Sequence, residues 1–211
     1  VLPDIVKQRL DESGKRVDPR IGRSKQLLAE ALQRLTRERC FEDITVQDIL
    51  ESATINRATF YSHFEDKHAL LHYLLTDFFK QTLRKRVAVG APPGREVFTE
   101  MIQAICSFLT EVRNCPSLGS PANDPTAENA MRPFVRDTLL PWAKASAPTD
   151  RLFDAELNAD VAAAAICTAS MRWTRSGPAW SPEEFSQKLY PMVAYCLGVQ
   201  AGERFSLAVA T

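Results

Sequence analysis

From Ser24 onward, apolar residues recur every three or four positions: Leu27, Leu28, Ala31, Leu32 and Leu35 share one face, and Ser24 stands where an N-cap would. The spacing predicts an amphipathic helix to about Arg39. Thr45-Val46-Gln47-Asp48 reads as a cap followed by a short helix to about Ser52, with Val46, Ile49 and Leu50 facing inward. After a short break, Asn56 can cap a third helix from Arg57 to about His63. Phe60 and Phe64 lie one turn apart on its apolar face, and Arg57 and Tyr61 share a more polar one. Asp66 can cap a fourth, long helix striped by Leu70, Leu71, Leu74, Leu75, Phe78, Phe79 and Leu83. It ends in Arg84-Lys85-Arg86, whose charge suits the negative pole of a helix, and Gly90-Ala91-Pro92-Pro93-Gly94 then stops it.

The remainder also reads as helix. Segments 95–113, 126–145, 154–177 and 181–200 carry helical apolar spacing, with a loop over 115–125. Kinks or breaks are expected at Pro133 and Pro141, and a bend at Pro191. Ser181-Pro182-Glu183-Glu184 combines an N-cap, a first-turn proline and a capping-box glutamate. No sizeable segment alternates with period two, so the fold class is all-α. Residues 1–22, rich in Gly, Pro and alternating charge, read as a flexible arm; 23–66 form a three-helix unit, and 67–211 a second helical domain reached through the connecting helix 67–89.

Composition changes this picture little. In 211 residues, 45% hydrophobic and 25% charged positions describe a globular chain, and no apolar run reaches the roughly 18 to 20 residues that span a bilayer. No secretory signal opens the sequence, so the expectation is a cytoplasmic protein with no membrane partner. Charge cancels overall, yet residues 1–90 hold 16 Lys and Arg against 13 Asp and Glu, while residues 91–211 hold 10 against 13. A basic front on an acidic body points to a polyanion. The five cysteines are odd in number and include no C-x-x-C pair, which excludes a disulfide framework or zinc ribbon; Cys115, in a loop before Pro116, is the thiol singled out for a reactivity test.

Three short capped helices with a tight turn between the second and third make a helix-turn-helix, whose second short helix enters the major groove. Arg57, Ala58, Thr59 and Tyr61 would then face outward: arginine pairs bidentately with guanine, and alanine or a threonine methyl touches thymine methyls. Tyr61, His63 and Lys67 are placed to meet phosphate.

These residues resemble a known family. Ile44-Thr-Val-Gln-Asp-Ile49, then Ile55-Asn-Arg-Ala-Thr-Phe-Tyr-Ser-His-Phe-Glu-Asp-Lys67 and Ala69-Leu-Leu71, look like the N-terminal DNA-binding domain of the TetR family of bacterial transcriptional regulators, over about Ser24 to Leu75. Departures are Thr36 where an aromatic is common, Cys40 where Gly or Pro is usual, and Thr54 where the turn normally has Gly. A β-branched residue is strained there if the turn needs positive φ. The resemblance implies that Gln47, Arg57, Ala58 and Thr59 lie closest to base edges, that Thr45, Tyr61, His63 and Lys67 bind the phosphate backbone, and that Lys15, Arg16, Arg20, Arg23 and Lys25 add salt-sensitive affinity. It also implies a homodimer through the last two helices on palindromic double-stranded DNA. Met171 to Gly177 with Ser181 to Glu184 resembles one C-terminal subgroup of that family.

Phe78, Phe98, Met101, Ile105, Phe108, Met131, Phe134, Trp142, Met171 and Trp173 either line an apolar ligand cavity or only fill a helical core. His68 and His72, four apart, lack a third ligand and an H-E-x-x-H pattern, so no metal is expected. No nucleophile elbow, P-loop or dinucleotide fingerprint is present, so neither a cofactor nor an enzymatic activity is expected. The leading expectation is a dimeric repressor released from its operator by a small hydrophobic effector. The alternative is a helical DNA-binding adaptor controlled by a protein partner, with no small-molecule pocket.

Overall fold

The computed structural model describes residues 19–88, 90–92, 94–145, 154–177 and 179–197, and every regular element among them is helical. In order these are α1 (Pro19–Glu38), a 3₁₀ turn (Phe41–Asp43), α2 (Val46–Ala53), α3 (Arg57–Tyr61), α4 (Lys67–Arg84), α5 (Arg95–Asn114), a 3₁₀ turn (Pro121–Asn123), α6 (Asp124–Ala145), α7 (Ala155–Arg175) and α8 (Pro182–Leu197). None of the helices among the described residues is long and apolar enough to cross a membrane. The first helix begins at Pro19, so Ser24 lies inside it and not at its cap, and residues 19–22 are helical where an arm was expected. Proline tolerates a first turn because its missing N–H has no partner there anyway. Lys15 and Arg16 lie outside the described residues.

The chain divides into two compact units: Val1–Phe78 with Thr110–Ala130, and Phe79–Leu109 with Met131–Thr211. The first is larger than the 23–66 segment read from the pattern, because the leucines of the first half of α4 are buried and the segment after α5 hydrogen-bonds to the end of α1. α4, α5 and α6 each supply residues to both units.

In the second unit, small residues Ala159, Ala162 and Ala163 are buried on α7, where they let a neighbouring helix approach closely. α8 starts with the expected reciprocal cap: the Ser181 N–H donates to Glu184 Oε2 at 2.8 Å and the Glu184 N–H to Ser181 Oγ at 3.1 Å. Pro133, Pro141 and Pro191 interrupt neither α6 nor α8. Each removes a hydrogen bond to the carbonyl four residues earlier, at Asn129, Asp137 and Gln187. All three of those residues are exposed, so water can satisfy what the helix loses.

In the first unit, Leu28, Leu32, Phe41, Ile44, Ile49, Phe60, Leu70 and Leu71 are fully buried. A polar seam flanks this core. Ser117 Oγ donates to the Thr36 carbonyl, the Phe41 N–H donates to the Ser117 carbonyl at 3.4 Å, and the Cys115 thiol points at the Thr36 carbonyl from 4.0 Å. Cys115 is therefore enclosed, the opposite of a reactive loop thiol. Behind it the chain turns so tightly that a Cβ on Gly119 would stand 2.2 Å from the Arg113 carbonyl oxygen.

α2 ends at Thr54 in the left-handed region, φ 55° and ψ 45°, where its N–H bonds back to Glu51 and Leu50 and the Ile55 N–H returns to the Leu50 carbonyl at 3.1 Å. Among the described residues it is the one non-glycine with positive φ. The strain foreseen for this position is therefore present, and costs about 1–2 kcal/mol for a residue with a Cβ. Thr54→Gly removes it and gives back about 0.5–1 kcal/mol in unfolded-chain entropy, so a net stabilisation of about 0.5–1 kcal/mol is expected in urea titration. A variant less stable than the parent would contradict the strain assignment.

Candidate nucleic-acid interface

Two caps fix where α2 and α3 begin. Thr45 Oγ1 accepts from the Asp48 N–H at 3.1 Å, and Asp48 Oδ2 accepts from the Thr45 N–H at 2.8 Å and its hydroxyl at 2.7 Å. Those two Thr45 donors, with Arg39 at 3.1 Å, hold the Asp48 carboxyl below its usual range, so the cap stays ionised at neutral pH. At α3, Asn56 Oδ1 accepts from the Thr59 N–H at 2.8 Å.

α3 contains five residues, and its orientation comes from what lies beneath it. Phe60 is fully buried and Phe64 is 6% exposed, with ring centroids 5.9 Å apart; Phe64 in turn meets the edge of Tyr73 at 5.4 Å. With that face inward, Arg57, Ala58 and Tyr61 are exposed and Thr59 is half-buried. The Arg57 guanidinium lies over the Tyr61 ring, 5.5 Å from its centroid, and donates to the phenol oxygen at 3.4 Å. The arginine stem and ring thereby hold one another in an extended, outward pose. On α2, Gln47 is exposed and its amide donates to Glu51 at 2.8 Å, a bond it must release to reach a base.

His63 is half-buried beside α3, and burial first, then the Lys25 charge, push its pKa below the ordinary imidazole value. Lys25 stands near the Phe64 and Tyr73 rings, 6.0 and 5.9 Å from their centroids. The resemblance implies for Lys25 only a salt-sensitive contribution to affinity, and Tyr73 is not among the sequence candidates. Nothing in local spacing reveals that both lie against Phe64, since the grouping is made by α4 packing.

Lys67 is held inside the unit. Its ammonium donates to the carbonyls of Phe41 (3.0 Å), Glu42 (2.8 Å) and Ile44 (2.8 Å). An ammonium has three donors, and all three are occupied inside the unit. His68 is also drawn into structure, its ring edge-on to Phe41 at 5.2 Å, and among the described residues no group of three or more His, Cys, Asp or Glu could hold a metal ion.

The ten large apolar candidates lie mostly inside the protein. All but Phe78 fall in the second unit, and all but the half-buried Phe134 and Trp173 are buried. Several rings are already engaged: Phe108 with Phe79 at 5.2 Å, Phe98 with Tyr190 at 5.2 Å, and Trp173 stacked on Phe185 at 5.7 Å.

Comparison with known proteins bears on both units. Residues 27–74 match the family model described as bacterial regulatory proteins, tetR family. An uncharacterized HTH-type transcriptional regulator of Bacillus subtilis, YxbF, is 27% identical over 106 residues, which cover 50% of this chain and 28% of that relative. Solved structures share the fold: RolR with resorcinol bound, at TM-score 0.56 and 18% identity over 87% of this chain and 95% of that one. Thermus thermophilus FadR, a TetR family transcriptional repressor in complex with lauroyl-CoA, gives 0.55 and 19% over 80% and 92%. A TetR transcriptional regulator from Streptococcus agalactiae gives 0.50 and 20% over 83% and 96%. The likeness to the tetR family of bacterial regulatory proteins is thus carried by residues 27–74, the segment that holds α2 and α3.

Proposed function

We propose that the protein is a dimeric repressor that reads palindromic DNA with Gln47, Arg57, Ala58 and Thr59, meets phosphate with Thr45, Tyr61 and His63, and releases DNA when a small apolar effector occupies the second unit. The observation that carries this reading is the exposed Arg57–Tyr61 pair, mounted on a helix whose opposite face is Phe60. Arg57→Ala is expected to weaken binding to a duplex selected from a random pool by about 1–3 kcal/mol and to relax base choice at one position per half-site, read by fluorescence anisotropy. Unchanged affinity and unchanged base preference would rule out Arg57 as a reader.

His63 supplies a pH test. Its pKa is lowered in the free protein, and a phosphate beside it would raise that pKa in the complex. The complex then binds more protons than the free protein, so affinity rises as pH falls from about 7.5 to 5.5, by at most about tenfold per pH unit for each subunit. His63→Gln should flatten the difference; a slope of the same size in that variant would remove His63 from the interface.

A dimer is supported by apolar side chains that the second unit leaves in solvent. Leu157 and Val161, one turn apart on α7, are 44% and 50% exposed; Met192 and Tyr195 on α8 are 65% and 86% exposed. Such paired exposure on adjacent helical turns suits an isologous interface. Two subunits would set the two α3 helices roughly 34–36 Å apart on one face of B-form DNA. Leu157→Glu combined with Tyr195→Glu should raise the dimer dissociation constant by about a hundredfold in sedimentation equilibrium, with the helical signal intact. An undiminished dimer would move the interface elsewhere.

For the effector, the supporting observation is a core built from adaptable Met and aromatic side chains, among them Met101, Met131, Met171, Phe98, Phe108 and Trp142. RolR and Thermus thermophilus FadR, which share the fold, hold resorcinol and lauroyl-CoA respectively. Release requires that the effector bind the DNA-incompetent state more tightly, because equal affinity for both states shifts nothing.

A further inference from the structure

The helix-turn-helix is entered through the 3₁₀ turn Phe41–Asp43 and left through Asp66 into α4. Lys67, the first residue of α4, reaches back across that span. Its Nζ accepts no bond and donates three, to the carbonyl oxygens of Phe41, Glu42 and Ile44, while the Phe41 ring lies 4.8 Å from it on another side. Ile44 is the residue immediately before Thr45, the N-cap of α2. One ammonium therefore ties the residues that precede the motif to the residue that follows it.

A phosphate oxygen could gain a hydrogen bond from this group only by displacing one of three main-chain carbonyls. Losing the Ile44 carbonyl would leave a part-buried acceptor without this partner, whereas the Phe41 carbonyl also accepts from the Ile44 N–H and the Glu42 contact is exposed. The chemistry of the cup also discriminates between cations: three oxygens converge on a point charge, which an ammonium fits and a planar guanidinium fork does not.

We propose that Lys67 is a positioning residue for DNA recognition, acting through the three carbonyls to fix the angle at which α3 is presented, and that it makes no hydrogen bond to phosphate. The proposal rests on the reading that α3 enters the major groove. It differs from that reading in what Lys67 does: a phosphate ligand contributes to binding of any duplex, whereas a positioning residue contributes to the selected duplex alone.

Two variants separate these roles. Lys67→Met keeps the aliphatic stem and removes the charge; Lys67→Arg keeps the charge and loses the fit. Affinities are measured by anisotropy against a duplex selected from a random pool with the parent protein and against a random-sequence duplex of equal length, from about 50 to 200 mM salt. In both variants, the expected result is a loss of about tenfold or more on the selected duplex, a change of no more than about twofold on the random one, and a salt slope altered by less than half of the roughly 0.9 that one phosphate contact supplies. If Lys67→Met lowers the slope by about 0.9 per subunit while Lys67→Arg restores affinity, phosphate binding is established and the proposal falls. Folded variants that keep full specificity reduce Lys67 to a stability element and also overturn it.

Should Lys67→Met or Lys67→Arg fail to fold, the parent protein decides. The 15N-labelled Lys67 ammonium should give a slowly exchanging NMR signal that keeps its position when the selected duplex is added. Coupling of that nitrogen to phosphorus in the complex would contradict the proposal. A parent protein that cannot distinguish the selected from the random duplex would remove the α3 reading and this proposal together, whereas specificity surviving in Lys67→Met removes the proposal alone.

Discussion

A five-residue helix has no stability of its own, because nucleation fixes several residues for its first hydrogen bond and so short a segment never recovers the cost by propagation. α3 exists because Phe60 is fully buried beneath it and Phe64 closes the next turn against Tyr73. The burial of that one ring sets the rotation of the helix about its axis, and the rotation decides which side chains face solvent. Arg57, Ala58 and Tyr61 are outside for this reason. The Asn56 cap sets where the helix starts, and the Lys67 clamp ties the two ends of the surrounding segment.

The same unit contains two features that an optimised helical core would lack. Thr54 holds a left-handed conformation that glycine would take without strain, and the joint between α1 and the segment after α5 is made of Thr36, Ser117 and Cys115 instead of apolar side chains. Buried polar joints are satisfied in one geometry and costly in intermediate ones. They therefore favour discrete arrangements over gradual ones. α4 runs unbroken from Lys67 to Arg84 and supplies residues to both units.

Much of this was legible in the order of residues. The capping boxes at Thr45 and Ser181, the cap at Asn56, and the pairing of Phe60 with Phe64 are local patterns, and they settle where those helices start and the outward face of α3. Thr54 was suspect because only a short-range rule about φ was needed. What escaped the pattern depends on chain segments far apart. Ser117 is 81 residues from Thr36, and Lys67 is 26 residues from Phe41; neither spacing has a period. The start of α1 is not legible because an early apolar stripe is absent from its first turn, and the unbroken passage of α6 through Pro133 and Pro141 is not legible because solvent exposure of the freed carbonyls is a tertiary property.

The account turns on the outer edge of α3 lying in the major groove, and guanine N7 is a major-groove atom. Methylation interference on a selected duplex tests this most directly, since a methyl at N7 blocks an arginine that pairs there. The account predicts two clusters of interfering guanines, on one face of the duplex and about one helical turn apart, with interference lost when position 57 carries alanine. Binding indifferent to N7 methylation, or a single cluster unaffected by the residue at position 57, would contradict it.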